Sequence, residues 1–206
     1  MNNIFKTTIV SLLVIVTFTV SSCSSEDVEL SQSVYIEDYD APGLPIYSEW
    51  GYNTFGMYID KTPFVSTNEF QPSKIYIRPD TFNIDLKGKY GTYSAVMRIS
   101  LKGFTPNDYP DLVVLNDSLI NLKSNNCVVT LDYNGIKMKL DIIQGDILFK
   151  KVQKLYVDKE LVRTNLSGKI QIKTFINNEP VSINNGRFDL GIGYNNFFNL
   201  IEYLGN

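Results

Sequence analysis

The sequence predicts an all-β fold: an antiparallel β-sandwich or flattened barrel of about nine to ten strands. Three observations predict it. Runs rich in Tyr, Phe, Ile, Val and Thr alternate apolar with polar residues, turn residues separate them at short intervals, and no βαβ alternation, heptad run or long-period repeat is present. Short turns imply antiparallel neighbours, and one dry face per strand implies a layered core.

The first 22 residues resemble a lipoprotein signal peptide. Lys6 supplies the positive start, and Ile9 to Val20 is a run of 12 residues interrupted only by Ser11, Thr17 and Thr19. That length suits a signal core; a bilayer-spanning helix needs about 20 apolar residues. A buried core helix is the plainer alternative, but Ser21 to Asp27 carries no helical periodicity to continue it. Val20-Ser21-Ser22-Cys23 then resembles a lipobox, in which cleavage precedes a cysteine that receives lipid. Cleavage there would leave a chain of 184 residues beginning at Cys23. Two or three acyl chains at Cys23 would anchor it durably, where one would not. The residue after the cysteine, Ser24, does not match an inner-membrane retention signal. Ser24-Ser25-Glu26-Asp27 resembles the surface-export signal of Bacteroidota lipoproteins.

Residues 23–48 read as a flexible lipidated tether: Ser, Asp and Glu oppose collapse, and Pro42 and Pro45 stiffen the chain. A single β-domain is expected over 49–206. Asp60-Lys61-Thr62-Pro63 links Phe55–Ile59 to Phe64-Val65, and Arg78-Pro79-Asp80-Thr81 links Lys74–Ile77 to Phe82–Leu86. Tyr93, Ala95, Met97, Ile99 and Leu101 share one face of the next strand. Leu112 to Leu122 fits a short helix or two short strands. Asn134-Gly135 suits a two-residue type I′ turn, which requires positive φ at both positions. That turn sets Tyr133 opposite Ile136, Leu131 opposite Met138, and Asp132 opposite Lys137 as a favourable wet-face pair. Gly168, Ile170 and Ile172 form another inward row, and Asn184-Asn185-Gly186-Arg187 reads as a further hairpin turn. The tail, 196–204, fits a helical turn or an edge strand.

Composition excludes several chemistries. The 206-residue chain has net charge −3 and no histidine. Ser-His-Asp and Cys-His nucleophile systems and His-containing zinc sites cannot be built within it. No stretch is basic enough to track phosphates, so nucleic acid is not an expected partner. With Cys23 committed to lipid, Cys127 has no disulfide partner and is expected as a buried, inert thiol. No cofactor or metal is expected. Glu37, Asp38 and Asp40 lack the spacing of an EF-hand loop.

Aromatic residues cluster at the domain entrance: Trp50, Tyr52, Phe55 and Tyr58. Core packing is the commoner role for such residues. Trp50 and Tyr52, expected on one strand face, are the candidates for stacking on a sugar ring. Asp117-Ser118-Leu119 resembles the O-glycosylation acceptor of exported proteins in this bacterial group, which nominates Ser118; a polar turn is the plainer reading.

The lipobox, "GMYIDKTPFV" at Gly56–Val65 and "LSGKIQIKTF…VSINNGRFDL" from Leu166 to Leu190 together resemble small Bacteroidota lipoproteins of unknown function, although Ile170 stands where a phenylalanine is common. The resemblance supports the β-fold more than any activity. The lipid anchor, the tether, the β-domain and the missing catalytic histidine lead to the expectation of a lipid-anchored outer-membrane protein, exposed at the cell surface, with a non-enzymatic β-domain that binds a glycan, a peptide or an outer-membrane complex. Two alternatives remain at this point. A fimbrial or assembly subunit would shed a segment after an arginine, but the first arginine after the signal is Arg78, inside the domain. A hydrolase would need two convergent carboxylates.

Overall fold

A computed structural model describes residues 32–67 and 71–201. Cys23 lies outside them. A two-stranded ribbon of β1 (Glu37–Asp38) and β2 (Ala41–Pro45) comes first. The main sheet holds β3 (Thr54–Ile59), β4 (Thr62–Val65), β5 (Ser73–Arg78), β6 (Thr81–Tyr90), β7 (Tyr93–Lys102), β8 (Ser118–Asn121), β9 (Cys127–Tyr133), β10 (Ile136–Lys139), β11 (Asp141–Val157), β12 (Glu160–Ile176), β13 (Glu179–Ile192) and β14 (Phe197–Asn199). A 3₁₀ segment, Tyr109–Leu115, precedes β8, so Leu112–Leu122 contains both a helical turn and a strand.

The fold is all-β. The strands run β10-β9-β7-β6-β4-β3-β13-β12-β11-β8 as one continuous sheet, with β5 beside β6 and β14 beside β5. Strand β6 is the pivot: β7 covers one edge, while β5 and β4 divide the other. Ile84, Leu86 and Ile99 line the same interior space as Ile147, Ile170, Phe188 and Leu190 from the far part of the path. The sheet therefore folds over on itself and buries one apolar core without closing. Twelve strands build it, against the nine to ten expected, because short β8 and β14 pair as strands.

Local turn chemistry sets several connections. Asp60 and Asp80 take left-handed backbone at φ 58° and 60°, and Asn134-Gly135 at 53° and 75°. The register at that last turn is Tyr133 with Ile136, Asp132 with Lys137 and Leu131 with Met138, as its type I′ geometry requires. Of the expected row Tyr93, Ala95, Met97, Ile99 and Leu101, the last four are buried, while Tyr93 at the start of β7 is exposed.

Four expectations give way. Asn184-Asn185-Gly186 is not a turn: β13 pairs with β12 on one side and β3 on the other through this stretch, so the chain cannot reverse. The positive φ of Asn185, 51°, serves a β-bulge instead. The reversal before β13 lies at Asn177-Asn178, with φ 51° and 66°. Pairing is antiparallel except that β14 runs parallel to β5. Cys127 is half-buried rather than buried, because it sits at the end of its inward row; Ser124 Oγ donates to its sulfur at 3.2 Å.

The fourth concerns the expected tether. Its described part, 32–48, is laid onto the domain. Leu44 is fully buried, Val34 N–H donates to the Tyr52 carbonyl, and Tyr58 hydroxyl donates to the Pro42 carbonyl. Arg187 on β13 pairs with Asp38 and holds the ribbon to the sheet. Burial of Leu44 and the pinned backbone outweigh the solubility of the neighbouring acids.

Candidate functional site

Residues Arg163, Asn165, Ser167 and Lys169 of β12 point to the outer face of the sheet, opposite the inward Leu166, Gly168 and Ile170. On β13, Asp189 pairs with Ser167 and Gly191 with Asn165. Simple alternation would leave this polar row in water. Instead Arg163, Asn165, Ser167 and Asp189 are buried. The cover is the segment Tyr47–Asn53, which crosses them as a strap.

Asp189 fastens the strap. Its carboxylate is only 1% exposed and accepts from three successive backbone amides: Trp50 at 3.2 Å, Gly51 at 2.9 Å to each oxygen, and Tyr52 at 2.9 Å. Ser167 Oγ donates a further bond at 2.8 Å. A buried carboxylate is tolerated only when its lone pairs are filled, and here they are. Arg163 donates to the Gly51 carbonyl at 3.1 Å, and Gly191 N–H donates to Asn53 Oδ1 at 2.7 Å. Burial lowers the Arg163 pKa from its ordinary value, and the nearby Asp189 charge opposes that shift.

Gly51 is required where the strap presses hardest. Its φ is +78°, and a Cβ there would lie 2.6 Å from Asn165 Oδ1. The tight turn aims consecutive amides at one carboxylate. Trp50 and Tyr52 therefore sit on an irregular strap, not on a strand as expected. The two also diverge: Trp50 is 76% exposed and Tyr52 half-buried, while Phe55 enters the core.

A cluster of charges gathers around Tyr47 and Glu49, the latter directly before Trp50 in the chain. Tyr47 hydroxyl donates to Glu49 Oε1 at 2.9 Å. Lys151 Nζ lies 3.5 Å from the same carboxylate and Lys150 Nζ 4.0 Å. Consecutive strand residues normally face opposite ways, but a register shift between Phe149 and Lys151 breaks the alternation. Both lysines consequently reach Glu49. Lys150 and Lys169 each hold their ammonium 5.7 Å from the Tyr47 ring centroid. The Tyr47 hydrogen bond, followed by the Lys151 contact, holds the Glu49 carboxyl below its ordinary pKa. Burial, then the bond to Glu49, pushes the Tyr47 phenol up.

Comparison with family models, curated proteins and solved structures finds no match.

The remaining candidates lie apart from this strap in the chain. Ser118 is half-buried at the start of β8, where its Oγ donates to the Leu115 carbonyl at 2.5 Å. Among the described residues, no group of three or more Cys, Asp or Glu is placed to hold a metal. Sequence reasoning singled out Trp50 but missed Asp189 and Arg163. The only local clue was a carboxylate at a mid-strand position flanked by Phe188 and Leu190.

Proposed function

We propose that this chain is a lipid-anchored protein of the cell envelope, carried at the outer-membrane surface, whose β-domain binds ligand without catalysing a reaction. The observation that supports a binding role is Trp50. A large aromatic side chain is exposed on a strap whose backbone is fixed by a buried carboxylate. Fixing the backbone beforehand lowers the entropy cost of presenting the ring to a ligand. A flat indole face suits a ligand with an apolar face and hydroxyl edges, which describes a sugar ring. Tyr52, half-buried beside it in sequence, supports the strap more than the ligand.

Asp189, the most buried acid among the described residues, is occupied by four donor groups, which favours a structural role over proton transfer. Trp50 is the sole tryptophan, so its fluorescence reports directly on the proposed site. Saccharides titrated into the full chain in detergent micelles should shift or quench that emission saturably. Silence across neutral and acidic saccharides would sink the reading.

A further inference from the structure

We propose that the surface around Trp50 takes an acidic saccharide, with a sugar face on the indole and a carboxylate or sulfate among Lys150, Lys151 and Lys169. This rests on the saccharide-binding reading above and names the class of ligand.

The charge pattern carries it. The chain as a whole is acidic, with net charge −3. Beside the strap, positive groups gather: Lys150 and Lys169 flank the Tyr47 ring, and Lys150 and Lys151 meet the carboxylate of Glu49. The bulge at Lys150 is the device that concentrates the charge. Regular alternation would turn one of the two neighbouring lysines toward the core side of the sheet; the extra residue keeps both outside. Glu49 orders the pair without neutralising it, since two ammonium groups meet one carboxylate and Lys169 adds a third. Both ion-paired lysines retain solvent access, with side chains 55% and 44% exposed. Trp50 follows Glu49 directly in the chain, so the exposed indole springs from the strap residue next to the one that Lys150 and Lys151 of β11 meet, about 3.8 Å away along the backbone. A saccharide bearing an acid group offers the complementary pair of an apolar face and a negative charge.

The test uses Trp50 emission from the full chain in neutral-detergent micelles. The probes are polygalacturonate, dextran sulfate and neutral dextran. The acidic polymers should act at about tenfold lower concentration than dextran, and that advantage should shrink as added salt shortens the screening length. The double variant Lys150→Gln, Lys151→Gln should erase the advantage while leaving the response to dextran. Glu49→Gln removes the competing carboxylate and should strengthen binding of the acidic polymers, a gain that structural damage would not produce. An equal response to all three polymers, or acidic binding indifferent to the lysine variants, would overturn this inference and leave the saccharide reading standing. Silence toward all three would overturn both. Binding to phosphatidylglycerol vesicles without a response to soluble acidic polymers would assign the lysines to the membrane surface instead and overturn the inference.

Discussion

Asp189 lies beneath Gly51 and takes its amide hydrogen on both carboxylate oxygens, 2.9 Å from each. The two residues are 138 positions apart in sequence. Their contact converts a loop near the start of the domain into a fixed strap over β12 and β13.

Asp189→Ala should destabilise the fold by about 3–5 kcal/mol, because three strap amides lose their acceptor and the buried Arg163 loses its nearby counter-charge. Asp189→Asn should cost less, since the retained carbonyl oxygen can still accept a strap amide or the Ser167 hydroxyl. Chemical denaturation followed by circular dichroism measures both. Equal stability of Asp189→Ala and the parent would refute the anchoring role.

Gly51→Ala should cost about 1–3 kcal/mol, combining left-handed backbone strain with the clash against Asn165. The loss should be accompanied by altered Trp50 emission in the folded protein, since the strap must shift. An unchanged spectrum and unchanged unfolding midpoint would contradict the tight approach.

The strap network should hold over a broad pH range. Glu49 has a folded pKa below its ordinary 4.5, so its stabilisation is present above that value and fades as pH falls through the lower folded one. Tyr47 has a folded pKa above its ordinary 10.0, so its stabilisation is present below pH 10 and is lost as pH climbs further. Trp50 emission should accordingly stay level between about pH 5 and 10 and change only outside those limits. A transition near neutral pH would show that another group governs the strap.

Cys23→Ala should abolish palmitate labelling and release the chain from membranes. Fractionation and metabolic labelling read the two effects, and continued membrane partitioning of the variant would end the lipoprotein reading.

The parts of the fold legible in sequence are those whose causes are local. At Asn134-Gly135 a two-residue turn demands positive φ, and the flanking alternation leaves one compatible register. The same chemistry at Asn185-Gly186 misleads, because a residue tolerant of positive φ serves a bulge as readily as a turn. Only the strands on both sides of β13 decide between them.

The candidate site is legible in half. Trp50 stands out as a lone tryptophan in an aromatic cluster, but nothing adjacent to it says whether it packs inward or outward. Phe55, five residues on, enters the core while Trp50 stays in solvent. The difference comes from Asp189, whose hold on the Trp50 backbone turns the side chain away from the sheet. Lys150 and Lys151, two like charges side by side in the chain, carry no local mark of the bulge that places both beside Glu49.

By itself, the sequence determined the all-β class, several turns and one full hairpin register, since each depends on side-chain alternation and on φ preferences within a few residues. The tertiary structure alone decided that residues 32–48 belong to the folded domain, that Arg163, Asn165 and Ser167 on the outer face of β12 are dry, and that Trp50 faces solvent. The first depends on the burial of Leu44 and on Arg187 meeting Asp38, 149 positions away; the others depend on a buried carboxylate meeting amides more than a hundred residues away, and no local period encodes such pairings.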